Sequence, residues 1–134
     1  MSFIEKAIQI GKIEEENNDL TIVVQYTQRD HSKQFIFIDV KIFDKEQNKH
    51  DDYNQNYGYV SNTNVNLNIA DDDKQEIFSS VGITNDKGLF ETKYLIPDNS
   101  KRETLTITIN AENENSISSK ILQVFALGNI PTDG

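Results

Sequence analysis

The sequence predicts an all-β domain, and three observations lead to that fold class. Apolar and polar residues alternate along most of the 134 residues, a period that sorts side chains onto two faces in a strand and not in a helix. β-branched residues dominate the alternating runs. Turn-forming residues separate the runs at intervals of about 8–12 residues, which is typical of a β-sandwich or barrel of about seven to nine strands. We expect an antiparallel sandwich, because only one face of most runs is apolar.

Each run can be assigned an apolar face in chain order. The members of each face are Leu20, Ile22, Val24 and Tyr26; Ile36, Ile38, Val40 and Ile42; Val65, Leu67 and Ile69; and Leu105, Ile107, Ile109 and Ala111. Near the C-terminus, Ile117, Ile121 and Phe125 alternate with Lys120, Leu122 and Val124. We expect the core to include Ile38, Val40, Leu67, Phe90, Tyr94 and Ile107.

The first residues are ambiguous, since Phe3, Ile4 and Ala7 suit a short helix whereas Ile8 and Ile10 suit a strand. We prefer a strand. One domain is expected over residues 1–127, with a flexible tail or linker at 128–134.

Turn chemistry connects the later runs. Thr84–Gly88 suits a tight turn with a positive-φ position, and we expect it to join Ile77–Thr84 to Leu89–Ile96 as a hairpin. Pro97 is expected to end the second of these strands. The polar stretch from Asp44 to Asn62 exceeds the usual length of a connection, so it is either a functional loop or an irregular edge segment.

Composition argues against most catalytic functions. The chain has no cysteine, which excludes disulfides, thiolate metal sites and cysteine nucleophiles. No nucleophile elbow, phosphate-binding loop or dinucleotide fingerprint is present. His31 and His50 lie in polar stretches and are interpreted as exposed loop residues. We therefore expect a protein that is not an enzyme.

The charge bears on partners and compartment. A net charge of −9 repels nucleic acid and anionic lipid, and we expect it to keep the isolated domain monomeric. No apolar run is long enough for a signal peptide or a membrane span. The expected location is cytoplasmic if the chain is complete as given, and extracellular or at the cell surface if it comes from a secreted parent.

One segment carries a family resemblance. Thr84 and Gly88 frame a Thr-Asn-x-x-Gly turn, the aromatic residues Phe90 and Tyr94 follow four residues apart, and Ile96-Pro97 comes next, before a strand that ends near Ala111. This pattern, with Val40–Asp44 before it, resembles the immunoglobulin-like modules of prokaryotic cell-surface proteins over roughly residues 34–127. The resemblance implies an immunoglobulin-like β-sandwich in which these residues build the scaffold, and it implies no catalytic residue.

Two functions remain open. The first is a non-catalytic structural or adhesive module of a cell-surface or extracellular protein, acting through contacts with other protein modules. The second is a stand-alone binding module for a carbohydrate, such as a surface glycan, or for a protein. This module would use Tyr53, Tyr57 and Tyr59 in the loop 52–59, because tyrosines among amides are typical of adaptable recognition surfaces.

Calcium is the one cofactor candidate. Asp71, Asp72 and Asp73 are consecutive carboxylates at a predicted strand end, and a hard cation would relieve their mutual repulsion. Lys74 places a competing positive charge in the same run. A solvated acidic turn is the simpler explanation of the run, and on that explanation we expect no cofactor.

Overall fold

A computed structural model describes residues 20–44, 58–114 and 116–131. These contain eight strands and no helix. In chain order the strands are β1 (Leu20–Tyr26), β2 (Arg29–Asp30), β3 (Phe35–Asp44), β4 (Asn64–Ala70), β5 (Glu76–Ile83), β6 (Leu89–Leu95), β7 (Arg102–Glu112) and β8 (Ile117–Leu127). The predicted all-β class is confirmed.

The strands form two sheets. The smaller sheet has three strands in the order β1-β3-β6, and the larger has five in the order β2-β8-β7-β4-β5. All pairings are antiparallel except the short one between β2 and β8. In the larger sheet β8, β7 and β4 follow the order of strands G, F and C of immunoglobulin domains, and β5 takes the position of C′. The molecule is thus an immunoglobulin-like sandwich, as predicted.

The core lies between the sheets and is built by the alternating residues. Ile38 and Val40 of β3, Leu67 of β4 and Ile107 of β7 are fully buried, which confirms these four core predictions. The other predicted faces point the same way, with Leu20, Ile22, Ile36, Ile42, Val65, Ile69, Leu105, Ile109 and Ala111 buried, whereas Val24 and Tyr26 of β1 are only partly buried. Burial of one face per strand accounts for the two-residue period.

The chain changes sheets between β1 and β2. The backbone N–H of Thr27 donates to the carbonyl of Phe37 in the smaller sheet, whereas the carbonyl of Gln28 accepts from Phe125 in the larger one. Ser118 Oγ also donates to the carbonyl of Leu20 at 2.7 Å. The stretch from β1 to β2 therefore runs parallel to β8 along one side of the sandwich.

The predicted hairpin at 84–88 is wrong, although the turn itself forms. Gly88 has a φ of 70° and its N–H donates to the carbonyl of Asn85. The two ends of the turn are held by different sheets. Thr84 bonds to Thr63, beside β4, and the carbonyl of Gly88 accepts from Ile42 of β3. The turn crosses from one sheet to the other, so β5 and β6 do not pair.

Two core predictions hold only in part, because their strand lies at the edge of its sheet. Phe90 and Tyr94 are partly buried because β6 lies at the edge of its sheet, where their rings cover the side of the core. Pro97 follows β6, as expected. The predicted strand among the first residues, and the loop residues 45–57, lie outside the described residues.

Candidate interaction surface

The edge strands β5 and β6 lie side by side and close one flank of the sandwich. Their inward side chains meet as three pairs. The rings of Phe78 and Tyr94 are 5.4 Å apart between centroids, and Thr92 Oγ1 donates to Ser80 Oγ at 3.2 Å. At the third pair a Cβ on Gly82 would lie 2.5 Å from the ring of Phe90. A larger residue at position 82 would therefore displace the Phe90 ring or move the two strands apart.

Burial also acts on an ionisable group of this flank. Desolvation raises the pKa of the Tyr94 hydroxyl, and the negative charges of Glu103 and Asp71 raise it further. Tyr94 therefore stays protonated at neutral pH and serves as a packing residue.

The outward side chains of β5 are mostly apolar and exposed. Val81 is 70% exposed, Ile83 is 59% exposed and Ile77 is 39% exposed. Glu76 at its first position is the one charged residue of this strand. No described strand pairs with the outer edge of β5, so its backbone N–H and C=O groups on that side form a template for another strand.

The neighbouring part of the larger sheet extends this surface with amides. Register places Asn64 opposite Ile83 and Asn66 opposite Val81, and Asn110 of β7 lies opposite Asn66. These residues, with Glu112 of β7 and Ile117 of β8, line a shallow depression of about 630 Å³. Amide groups supply donors and acceptors without charge, so the surface combines apolar contact with hydrogen bonding.

The outer face of the smaller sheet also exposes apolar residues, but charges accompany them. Phe35 and Phe37 pack with ring centroids 5.9 Å apart. Lys93 Nζ of β6 lies 4.5 Å from the centroid of the Phe35 ring, a distance at which a cation is attracted to the ring face. Glu91 lies on the same face of β6. Alternating charge of this kind protects a sheet edge.

Of the predicted tyrosine site, Tyr59 lies among the described residues, whereas Tyr53 and Tyr57 lie outside them. Tyr59 forms a β-bridge with Phe43, and their ring centroids are 5.1 Å apart. Lys41 Nζ lies 5.8 Å from its ring. Tyr59 therefore packs against β3, and a tyrosine ligand site in this loop stays a prediction.

The three aspartates of the predicted calcium site do lie together, with candidate ligand oxygens within 4.8 Å of one another. Asp71 Oδ1 accepts the backbone N–H groups of Asp73 and Gln75, both at 2.9 Å, and so holds the turn before β5. Asp72 is paired with Lys101 at 3.1 Å. That hydrogen bond and charge lower the pKa of Asp72 and raise the pKa of Lys101. These contacts account for two of the carboxylates, and calcium binding stays a prediction.

Sequence reasoning missed the exposed row Ile77, Val81 and Ile83, although its signal is visible. These residues alternate with Phe78, Ser80 and Gly82. The face that carries Ile77, Val81 and Ile83 is therefore more aliphatic than the face that carries Phe78. The sequence of such a strand does not show that it lies at the edge of a sheet, because that position depends on which strands pair with it.

Comparisons with known proteins add little beyond the fold. No protein-family model and no curated protein matches the chain. Two crystal structures of β-glucuronidase from Parabacteroides merdae, one with glycerol in its active site, resemble 78% of this chain at 10% and 13% identity, with TM-scores of 0.49 and 0.46. The match spans 13% of each glucuronidase chain.

A third similar structure is the CARDB domain of a Pyrococcus furiosus protein in complex with di-metal ions. It matches 82% of this chain and 87% of that domain, at 11% identity and a TM-score of 0.44. Likenesses this distant carry no argument about function. Among the described residues no helix is long and apolar enough to span a membrane.

Proposed function

We propose that this chain is a non-catalytic immunoglobulin-like module of a cell-surface or extracellular protein, structural or adhesive in role, and that it contacts other proteins along β5. The observation that carries the proposal is the outer edge of β5, with which no strand of the described residues pairs, and beside which Val81 and Ile83 are more than half exposed. Natural sheets normally protect such an edge with charge, proline or a covering segment.

The chemistry of this surface supports contact over catalysis. From Ile77 to Ile83 the outward side chains of β5, like those on the adjoining face of β4, are aliphatic, hydroxyl and amide groups, and Glu76 at the start of β5 is the one carboxylate of that strand. They supply apolar area and neutral hydrogen bonds, and pairing through an exposed sheet edge gives affinity from the main chain and specificity from alternate side chains. The net charge of −9 favours a neutral or basic partner.

A site-specific photo-crosslinker tests this proposal in the source cell. A benzophenone amino acid at position 81, on the outer face of β5, should form a covalent adduct with a second protein. The same group at position 93, on the charged edge strand β6, is the matched control. Adducts at 81 and not at 93, traced to β5 by mass spectrometry, are expected. No adduct with another protein at 81, or equal adducts at both positions, would overturn the proposal.

The carbohydrate alternative belongs to a different surface and has its own test. Binding to a glycan array that is lost on Tyr57→Ala and kept on Val81→Lys would favour the carbohydrate alternative. The functional surface would then be the loop 52–59 and not β5.

A further inference from the structure

The outer face of the larger sheet carries two adjacent rows of side chains that cross four strands. Register aligns Ile83, Asn64, Glu112 and Ile117 in one row, and Val81, Asn66, Asn110 and Ser119 in the next. In both rows the polar residues of β4 and β7 lie in the middle, and an aliphatic residue of β5 lies at one end. This part of the face therefore has a hydrogen-bonding centre and an apolar rim.

A second depression extends the one that these rows line. It has a volume of about 590 Å³ and shares Asn64 and Glu112 with the first, and both volumes are within the usual range for ligand sites. Together they form a trough from β5 to the turn between β7 and β8. We call it the amide trough, because asparagines dominate its polar lining, namely Asn62, Asn64, Asn66, Asn110 and Asn113.

Asparagine is an unfavourable residue type for β4. This strand is paired on both sides, with β5 and with β7, and asparagine is depleted in strands because it packs poorly on a pleated surface. The exposed side chains of Asn64 and Asn66 form no hydrogen bond with any other described residue. No contact within the described fold compensates for these two residues, and their amide donors and acceptors face outward where a ligand can reach them.

The charge of the lining indicates the class of ligand. None of the described residues that line the amide trough is basic or aromatic, whereas Glu112 and Glu114 are acidic. Carboxylates repel sulfated, sialylated and phosphate-bearing ligands. Protein interfaces are typically centred on aromatic residues and arginine, and neither type is among these lining residues.

A neutral ligand with many hydroxyl groups matches the side chains that are present. An amide can donate to one hydroxyl and accept from its neighbour, and a carboxylate such as that of Glu112 can accept from both. The aliphatic side chains of Ile83 and Ile117 at the rim can pack against C–H groups of a sugar ring.

We propose that the amide trough binds a neutral glycan, and that Asn66 and Asn110 hydrogen-bond to its hydroxyl groups. These asparagines lie opposite each other on β4 and β7. Ser119 Oγ donates to Asn110 Oδ1 at 2.6 Å, which orients that amide and leaves its Nδ2 as a donor for the ligand. The inference goes beyond the contact along β5, because it assigns a different class of ligand to the face of β4 and β7.

A glycan array probed with the full chain tests the class of ligand. The array carries neutral oligosaccharides beside sialylated and sulfated ones. We expect binding to neutral glycans and weaker or no binding to the acidic ones, because the lining has carboxylates and no basic group. Binding to no neutral glycan, or stronger binding to acidic glycans, would overturn the inference.

Asn66→Val tests the site, and Asn68→Val is its matched control. Both positions are outward asparagines of β4, but Asn68 does not line the trough. Both variants should melt at a higher temperature than the unmodified chain, because valine suits a strand better than asparagine. Asn66→Val alone should weaken binding of the strongest neutral glycan of the array, by about tenfold.

A gain in stability together with a loss of binding is a result that a purely structural role of Asn66 would not produce. Asn110→Ala, on the opposite strand, should weaken binding by a similar factor. Unchanged binding by Asn66→Val, or equal weakening by Asn68→Val, would overturn the inference. Loss of binding on Tyr57→Ala and not on Asn66→Val would assign the glycan to the loop 52–59 and would also overturn it.

The two proposals fail separately. Protein adducts from the crosslinker at position 81, without binding to any neutral glycan, would leave the proposed function standing and reject the glycan site. Glycan binding that depends on Asn66, without protein adducts at position 81, would support the glycan site and reject the contact along β5.

Discussion

The edge strands β5 and β6 occupy the same flank of the sandwich and differ in how their outer faces are built. β6 alternates Glu91 and Lys93 along its exposed face, and Lys93 covers the ring of Phe35. β5 presents Ser79, Val81 and Ile83 instead. Both strands contribute the same kind of inward residue, an aromatic or small side chain that meets its counterpart across the flank.

The difference separates two requirements that a single edge strand must meet. Closing the core needs inward packing, and both strands supply it. Avoiding unwanted pairing needs charge on the outer face, and only β6 has it in alternation. The outer face of β6 thus carries the charge that protects a sheet edge, whereas the outer face of β5 is mostly apolar and is the surface that we propose for contact.

The largest expected effect comes from the inward contact that joins the two strands. Gly82→Ala should reduce the free energy of unfolding by about 1–3 kcal/mol, because the new Cβ overlaps the ring of Phe90. Denaturant unfolding measures the change. Adding Phe90→Leu should recover part of the loss if the ring is its cause, and a loss unaffected by that second change would contradict the interpretation.

A smaller effect is expected at the hydroxyl pair in the middle of the flank. Thr92→Val removes the hydrogen bond to Ser80 and should cost about 0.5–1.5 kcal/mol. The double variant with Ser80→Ala should cost less than the two single variants combined, since neither hydroxyl is then left without a partner. Strict additivity in thermal unfolding would show that the bond contributes nothing.

Exchanging the outer faces tests the comparison directly. Val81→Lys should change stability by less than about 0.5 kcal/mol and abolish contacts through β5. Lys93→Val should lose about 0.5–1 kcal/mol of cation–π attraction and make β6 prone to association. Light scattering at high salt, where repulsion is screened, should show larger species for Lys93→Val alone. Equal behaviour of the two variants would remove the distinction between the edges.

The smallest effect concerns the surface pair before β5. The lowered pKa of Asp72 gives a contribution to stability that is complete above its ordinary value of 3.8 and is lost as pH falls through the lowered value. The raised pKa of Lys101 gives one that is complete below 10.5 and is lost as pH rises through the raised value. Asp72→Asn should lower the melting temperature slightly at pH 7 and have no effect near pH 2. An equal decrease at both pH values would rule out the ion pair as its cause.

Much of the fold could be predicted because the central strands bury one face. Leu67 and Ile69 of β4 alternate with asparagines, and Ile107 and Ile109 of β7 alternate with threonine and asparagine; the structure buries all four as the pattern requires. The turn at Gly88 was also predictable from local chemistry. Whether that turn makes a hairpin or a crossover depends on the distant partners Thr63 and Ile42, which no local pattern contains.

The candidate surface was harder to predict than the fold. In β8 Ile121 is 67% exposed while Val124 is fully buried, yet both are β-branched residues of one alternating run. The face that enters the core is decided by the neighbouring strands, and at an edge such as β5 it is decided by one neighbour alone. Tyrosine and aspartate side chains indicate candidate sites by their chemistry alone. Exposed aliphatic residues indicate a contact surface only once their exposure is known.

The crossing of the chain from β1 to β2 has a mechanical consequence. Because this stretch runs parallel to β8, the entry of the described chain at Leu20 and its exit beyond Leu127 lie at opposite ends of the same flank. Tension applied through the two ends pulls along these strands, so the contacts between them are loaded together in shear and do not open one at a time. A module joined to others in series would transmit force through β8 while β5, on the opposite flank, stays outside the load path and remains available for pairing.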